Sequence, residues 1–308
     1  MSADVEPPLT PGLRALVMRE LARLGAGGGA GEARPTWRRR DEGRGSTEVW
    51  QLQAGPAALF LKRHHGARGF TQERQALSEW FAGSDGARDH AALPELIAVD
   101  ENERTMLLTA LPGARPTEGE LEAAHEAAGG FLAALQRRAV VDEDPLPLAE
   151  ALRRRARAWM KGCEQALAPA EQRTLVELAA DLGLDGAGEG IFAEAVRVPC
   201  HRDFVADNWL WSEAGLGIVD FEHARADLGL VDLAKLCVDD WRRRPELARA
   251  FFTGFGRRPS MLERRQLGAV VALHGVASLA WGLRHADAGF VALGHRALAA
   301  TADGLPWI

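Results

Sequence analysis

Apolar side chains in the first part of the chain recur at helical spacing and then at alternating positions. The helical spacing over residues 10–24 predicts a short amphipathic helix, and the glycine-rich stretch 25–31 after it predicts a linker. Two alternating runs, 47–53 and 57–62, predict strands that are joined by a turn at Ala54-Gly55-Pro56. The chain is therefore expected to begin with a helix and a β-hairpin.

The next stretch predicts one helix and two more strands. The helix covers about 71–81, and the strands cover 95–99 and 105–109 with a turn at 100–102 between them. The first ~110 residues are thus predicted to form a small antiparallel sheet with one inserted helix.

After Leu111-Pro112-Gly113 the apolar period becomes helical. A long amphipathic helix is predicted over 121–135, and a short strand-rich stretch is predicted at 196–222. Further helices are predicted at 147–166, 170–182, 228–241, 245–255, 260–285 and 287–302. The interpretation is an α+β chain with an N-terminal lobe at 1–112, whose residues 1–34 are a helix and linker, and a helical C-terminal lobe at 113–308.

Composition narrows the function classes. The 308 residues are 47% hydrophobic with a net charge of −6, which suits globular lobes and argues against a nucleic-acid surface. The three cysteines lie far apart, so neither a zinc site nor a disulfide framework is indicated. No secretory signal or membrane-length apolar run is present. We expect a cytoplasmic monomer or homodimer without a membrane partner.

The strand-rich stretch carries the candidate chemistry. His201-Arg202-Asp203 is followed by Asn208, and about a dozen residues later an apolar run ends on Asp220. Phosphoryl transfer needs hard oxygen ligands for magnesium and a carboxylate that orients the acceptor hydroxyl, and these residues supply both. A chance loop rich in Asp and Asn is the alternative. A Cys200–His201 nucleophile is disfavoured because adjacent residues on an extended chain point apart.

These motifs resemble the protein kinase-like superfold, and in detail the aminoglycoside phosphotransferase and choline kinase-like family. The segment from Ile218 to Ala234, with Asp220-Phe-Glu and Asp232-Leu-Ala, is similar to that family's metal-binding segment. The resemblance covers about residues 40–300. It implies a bilobal fold, ATP or GTP as co-substrate and Mg²⁺ as cofactor. It also implies Asp203 as catalytic base, Asn208 and Asp220 as magnesium ligands, and Asp232 as a structural brace. His201 is expected to be a structural hydrogen-bonding residue.

The N-terminal lobe should then supply the nucleotide contacts. Lys62 ends an apolar strand, and the resemblance implies that it contacts the α- and β-phosphates; a solvated lysine is the alternative. Glu73 shares an inward helix face with Leu77 and Trp80, so its carboxylate is expected to pair with Lys62, whereas Glu79 lies on another face.

Two further segments are predicted to contact the nucleotide. The segment 43–48 keeps two glycines, and the hydroxyls of Ser46 and Thr47 are candidate phosphate ligands, with an ordinary β-turn as the alternative. Residues 106–113, with Thr109 and Leu111, resemble the hinge whose backbone binds the nucleotide base.

The short run from Asp220 to Asp232 points to a small-molecule acceptor. It leaves no room for the activation loop and Ala-Pro-Glu motif of a protein kinase. An aminoglycoside-like antibiotic or an amine, amino-acid or sugar metabolite is expected. The alternatives are a kinase of a protein or lipopolysaccharide sugar, or a weakly active nucleotide-binding regulator. Acids and aromatics suit an amine-bearing acceptor, and the candidates are Asp207, Glu222, Asp239, Asp240, Trp241 and Trp281. For each of them taken singly, a solvated helix face or a core tryptophan is the favoured alternative.

Overall fold

The computed structural model describes residues 7, 9–23, 36–40, 47–54, 57–81, 87–140, 144–186, 188–306 and 308. The predicted glycine linker at 25–31 lies outside the described residues. So does most of the predicted phosphate loop, including Ser46.

The N-terminal lobe is built on a five-stranded antiparallel sheet in the order β1-β2-β3-β5-β4. One face of the sheet packs against helix α1, where Leu59 and Leu61 of β3 are buried with the apolar face of that helix. Because side chains alternate along a strand, Lys62 lies on the opposite face. The elements are α1 (Pro11–Arg23), β1 (Thr36–Arg39), β2 (Thr47–Ala54), β3 (Ala57–His64), β4 (Leu96–Asp100) and β5 (Thr105–Thr109).

Helix α2 covers that opposite face. It runs over Ala67–Gln75 and continues as a π-helical turn over Ala76–Trp80, so it begins four residues before the predicted start at 71. The difference arises because the first residues, Ala67 and Arg68, carry no apolar period and the buried face starts at Phe70. A short helix, α3 (Ala87–His90), precedes β4.

The C-terminal lobe is mainly helical. Its longest helix, α9, is long and apolar enough to cross a membrane by length and composition, but 72% of that stretch is buried inside the protein, as expected for a core helix. The helices are α4 (Leu121–Gln136), α5 (Leu148–Met160), α6 (Pro169–Asp181), α7 (Ala234–Leu236), α8 (Pro245–Phe255), α9 (Met261–His285) and α10 (Ala288–Ala302).

The predicted helix at 228–241 is made of three kinds of turn. A 3-10 segment over Gly229–Leu233 leads into α7, and a π-helical segment over Cys237–Trp241 follows. The predicted helix at 147–166 ends earlier, at Met160, before a separate turn.

Two small strand pairs carry the motif segment between α6 and α7. A hairpin of β7 (Trp209–Ser212) and β8 (Gly215–Ile218) follows the loop 201–208, which carries the predicted residues Asp203 and Asn208 and is called the catalytic loop. The strand β6 (Val198–Cys200) pairs with β9 (Arg225–Asp227). The strand β9 was not predicted, because three polar and small residues show no alternation.

The lobes join at Gly113. Its φ is +107°, and a side chain there would place Cβ 2.4 Å from the carbonyl oxygen of Trp211. Glycine is therefore required both by the backbone conformation and by the close approach. The neighbouring Ala114 exchanges two backbone hydrogen bonds with Trp211, which ties the connection to the β7–β8 hairpin.

Candidate active site

A buried lysine links the two lobes. Lys62 is 6% exposed, and its Nζ lies 2.6 Å from Oε2 of Glu73 on α2 and 2.5 Å from Oδ1 of Asp220. Burial would lower the pKa of Lys62, but Asp220 and Glu73 outweigh it and raise the pKa, so the ammonium stays protonated. The sequence placed Glu73 on the inward face of its helix, and the structure brings it to Lys62.

A histidine on the same strand face completes this ion-pair group. His64 lies two residues after Lys62, and its Nε2 is 3.1 Å from Oε2 of Glu73. Burial would raise the pKa of Glu73, but Lys62 and His64 lower it, so the carboxylate is ionised. His64 was not predicted, although the alternation of β3 is a signal that would have found it.

The catalytic loop is held by one buried carboxylate. Asp232 accepts the backbone N–H of His201 at 3.0 Å and that of Arg202 at 2.5 Å. Arg202 has a φ of +66°, a left-handed conformation that costs energy for a residue with a side chain, and these hydrogen bonds stabilise it. Burial raises the pKa of Asp232 to about 7.

His201 makes structural hydrogen bonds. Its Nε2 lies 3.0 Å from the carbonyl oxygen of Val219, and its Nδ1 accepts the backbone N–H of Asp203 at 3.3 Å. This assigns the proton to Nε2. Burial lowers the pKa of His201, which keeps the ring neutral. Burial raises the pKa of the Cys200 thiol, so a thiolate nucleophile is not supported there.

Asp203, Asn208 and Asp220 are joined through short contacts. The side-chain amide nitrogen of Asn208, Nδ2, donates to the backbone carbonyl oxygen of Asp203 at 2.9 Å and to its Oδ2 at 3.2 Å. The backbone carbonyl oxygen of Asn208 accepts the backbone N–H of Val219, the residue before Asp220. Asp220 has a φ of +69°, a left-handed backbone conformation.

The two carboxylates of this group are ionised. Burial would raise the pKa of Asp203, but Lys235 lowers it below its ordinary value. Burial would also raise the pKa of Asp220, but Lys62 lowers that pKa below its ordinary value. Both side chains therefore carry negative charge at neutral pH.

Lys235 is a site residue that the sequence analysis missed. Its ammonium contacts Oδ1 of Asp203 directly. Two signals would have found it. It lies three residues after Asp232 on the same helical segment, and Lys62, Lys161 and Lys235 are the three lysines in a chain that otherwise uses arginine.

The residues predicted to contact the nucleotide differ in whether their polar groups are already hydrogen-bonded within the protein. The Thr47 hydroxyl donates to Oε2 of Glu222 at 2.6 Å and is buried, so that hydroxyl is already engaged. Thr109 donates its N–H to the carbonyl oxygen of Glu95 and accepts the Glu95 N–H on its side chain. Leu111 makes no backbone hydrogen bond within the described residues, which leaves its N–H and C=O for a ligand. Ser46 lies outside the described residues.

The acceptor-lining candidates divide into accessible and inaccessible groups. Trp241 is fully buried against Phe251 and Phe252, so of its two interpretations the core tryptophan is the one observed. Its sequence pattern could not separate a core tryptophan from a binding one. Trp281 is 43% exposed and stacks on His285. Burial and Asp239 raise the pKa of Asp240 to about 6.

The oxygen atoms left over at Asn208 and Asp220 fit a hard divalent cation. Asn208 uses its amide nitrogen on Asp203, which leaves Oδ1, and Asp220 uses Oδ1 on Lys62, which leaves Oδ2. Within the described residues, no group of three or more His, Cys, Asp and Glu is placed to hold a metal ion. A cation here would therefore rest on these two ligands, with phosphate oxygens and water completing its shell.

Sequence comparison matches the same part of the chain. The family profile APH, phosphotransferase enzyme family, matches residues 36–267, a range that contains Lys62, Asp203, Asp220 and Lys235. No curated protein matches the sequence.

Structural comparison matches nearly the whole chain. The aminoglycoside phosphotransferase APH(4)-Ia, solved as a ternary complex with ADP and hygromycin B, is 15% identical with a TM-score of 0.67, covering 93% of this chain and 97% of that chain. Aminoglycoside 2'-phosphotransferase-IIIa, solved with GDP, is 13% identical with a TM-score of 0.64, covering 94% and 97%. The macrolide 2'-phosphotransferase MphH from Brachybacterium faecium is 17% identical with a TM-score of 0.58, covering 92% and 97%. These likenesses confirm the predicted bilobal, kinase-like α+β fold.

Proposed function

Because the chain belongs to the phosphotransferase enzyme family, we propose that it transfers the γ-phosphoryl group of ATP or GTP to a hydroxyl group of a small molecule. The observation that carries this proposal is the series of contacts from Glu73 through Lys62 to Asp220, and from the residue before Asp220 through Asn208 to Asp203. It gathers a buried cation, three ionised carboxylates and an amide, which are the groups that phosphoryl transfer uses.

Each of these residues has a role that is set by its surroundings. Protonated Lys62 would bind nucleotide phosphate oxygens, and Glu73 keeps its ammonium in place. The open backbone of Leu111 would bind the nucleotide base. Asp203 would orient the acceptor hydroxyl and receive its proton late, because a loose transition state needs little base strength.

Asp220 and Asn208 would hold Mg²⁺ through the oxygens that their present contacts leave over. When bound, the ion would supply neutralisation of phosphate charge. Asp232 would keep this geometry by fixing the backbone of the catalytic loop.

A small acceptor is supported by the short segment after Asp220. The strand β9 (Arg225–Asp227) pairs with β6, and a 3-10 turn begins at Gly229, so the chain returns directly to the core. The segment is too short to contain the activation loop and Ala-Pro-Glu motif of a protein kinase. An aminoglycoside-like antibiotic or an amine, amino-acid or sugar metabolite therefore remains our proposal for the acceptor class. ADP with hygromycin B in the APH(4)-Ia complex supports it.

The test separates transfer from nucleotide binding. Hydroxyl compounds are screened for ADP or GDP release with magnesium present, in the wild-type protein and three variants. Asp203→Ala should reduce kcat about 10²–10⁴-fold with little change in nucleotide affinity. Asp220→Ala should lose magnesium-dependent nucleotide binding. The exposed Glu213→Ala in the β7–β8 turn is the matched control. Full turnover by Asp203→Ala would refute the assignment. Nucleotide binding by the wild-type protein without transfer to any of the hydroxyl compounds would favour a regulatory protein.

A further inference from the structure

A cavity of about 830 Å³ between α2 and α5 is lined by an unusual number of arginines. We call it the arginine groove. Arg68 contributes from α2 in the N-terminal lobe, and the other arginines come from the C-terminal lobe. The arginines that line it are Arg68, Arg154, Arg155, Arg197 and Arg225.

The charge of the groove is opposite to that of the chain. Among the described residues, its lining holds five arginines against two aspartates, Asp144 and Asp227, a net charge of +3. The whole chain has a net charge of −6. Positive charge is therefore concentrated at this place in an otherwise acidic protein.

One carboxylate, that of Asp227, pairs with several of these guanidinium groups. Asp227 accepts a bidentate pair from Arg155 at 2.9 and 3.0 Å, and Arg225 lies 3.4 Å away. Arg202, from the catalytic loop, also lies 3.4 Å from the same carboxylate. Three guanidinium groups therefore share this one carboxylate, which does not neutralise all of their positive charge.

Two further arginines have no acid beside them. Within the part of the chain that the structure describes, neither Arg68 nor Arg154 makes an ion pair, and both are exposed. They line the cavity from its two sides, one from each lobe. A planar guanidinium matches the oxygens of phosphate or sulfate in a bidentate manner, and such charge-assisted bonds are the strong ones.

The groove continues toward the catalytic residues. A second cavity of about 580 Å³ shares Arg68 and Arg225 with it and also reaches Arg202 and Glu222. Arg202 is adjacent to Asp203, and Glu222 lies two residues after Asp220. An anion in the groove would thus lie next to the candidate active site without touching Lys62.

We propose that the arginine groove binds a small oxyanion with two or more charges, of the phosphate or sulfate class, between Arg68 of one lobe and Arg154 and Arg225 of the other. This goes beyond phosphoryl transfer, since the bound group does not react. It also links the lobes. Because α2 carries Glu73, the partner of Lys62, anion binding and nucleotide binding should favour each other.

Direct binding tests the site without any turnover. Inorganic phosphate is titrated by calorimetry at low salt, with a non-hydrolysable ATP analogue and magnesium filling the nucleotide site. The double variant Arg68→Ala/Arg154→Ala should bind phosphate about tenfold more weakly or worse, and the Lys pair Arg68→Lys/Arg154→Lys should retain part of the affinity. The exposed Arg173→Ala on α6 is the matched control and should behave as wild type.

Two results would overturn the proposal. One is that wild-type protein binds no phosphate or sulfate at millimolar concentration, and the other is that the double variant binds as well as wild type. Asp203→Ala should still bind phosphate in the groove, so failure of transfer and failure of this site are distinguishable.

The anion in the groove could be a group on the acceptor or a separate small molecule. A second assay distinguishes these two sources once the double variant has been found to weaken phosphate binding. If the anion is part of the acceptor, a hydroxyl compound with a phosphate ester should have a lower KM than its neutral parent, and inorganic phosphate should compete with it. If the anion is a separate effector, inorganic phosphate should tighten nucleotide binding and should not compete with a neutral acceptor. The double variant should remove whichever effect is seen.

Discussion

Replacing Lys235 with methionine tests how the candidate base is kept ionised. The Lys235 ammonium contacts Oδ1 of Asp203, and it is the main group that lowers the pKa of that carboxyl against burial. His201 also lowers the pKa, whereas Asp220 raises it. Methionine keeps the long apolar stem of lysine and removes only the charge. The variant should therefore raise the pKa of Asp203 with little change in packing.

The size of the change depends on the exposure of the pair. The Lys235 side chain is 33% exposed and that of Asp203 is 22% exposed. A cation in contact lowers a carboxyl pKa by about 1–3 units, and solvent screening puts this pair near the lower end. Removing the cation should raise the pKa of Asp203, because the burial that opposes its ionisation would remain.

The assay is the dependence of kcat/KM on pH once an acceptor is known. A carboxylate base is active when it is ionised, so activity falls as the pH drops through its pKa. In Lys235→Met this acid limb should move to higher pH, and Lys235→Arg should restore it. Lys161→Met, on the exposed end of α5, is the matched control. An unmoved acid limb in a folded Lys235→Met protein would refute the reasoning.

Two further predictions concern stability. Asp232→Ala leaves the buried N–H groups of His201 and Arg202 without an acceptor, at about 1–3 kcal/mol each. Urea unfolding should therefore show a loss of about 2–6 kcal/mol, and an unchanged midpoint would contradict the bracing role. Burial lowers the pKa of His125 to about 4, below its unfolded value, so the unfolded chain takes up the proton first and stability falls as the pH drops from about 6.5 toward 4. Between pH 7 and pH 5 the His125→Leu variant should lose about 2 kcal/mol less of its unfolding free energy than the wild type. Denaturant unfolding at the two pH values measures this difference. An equal loss in the wild type and the variant would show that His125 is not responsible.

Elements with a strong apolar period were predictable. Helices α4, α8, α9 and α10 and strands β2 to β5 lie where the pattern indicated, because burial of one face imposes the period directly. The start of α2 and the strand β9 were not predictable. Both depend on contacts with distant segments rather than on their own apolar positions.

The candidate site divides in the same way. Asp203, Asn208 and Asp220 lie within 18 residues of one another, so local spacing was enough to group them. Glu73 could be assigned because an acid on an apolar helix face needs a cation. Lys235 and the exclusion of Trp241 required the structure, since a side chain's partner and its burial are set by how the helices pack.

The sequence alone determined the type of most elements and grouped Asp203, Asn208 and Asp220 as candidates for phosphoryl transfer, since both are written in short-range spacing. Apart from the pairing of Lys62 with Glu73, only the tertiary structure decided which charges meet. It placed Lys62 between two lobes, set Lys235 against Asp203, and drew three arginines around Asp227. The paired residues lie from about 2 to about 160 positions apart in the sequence, and most pairs are separated by more than 30 residues. The energy of an ion pair depends on the distance between the charges in space, which local spacing does not record.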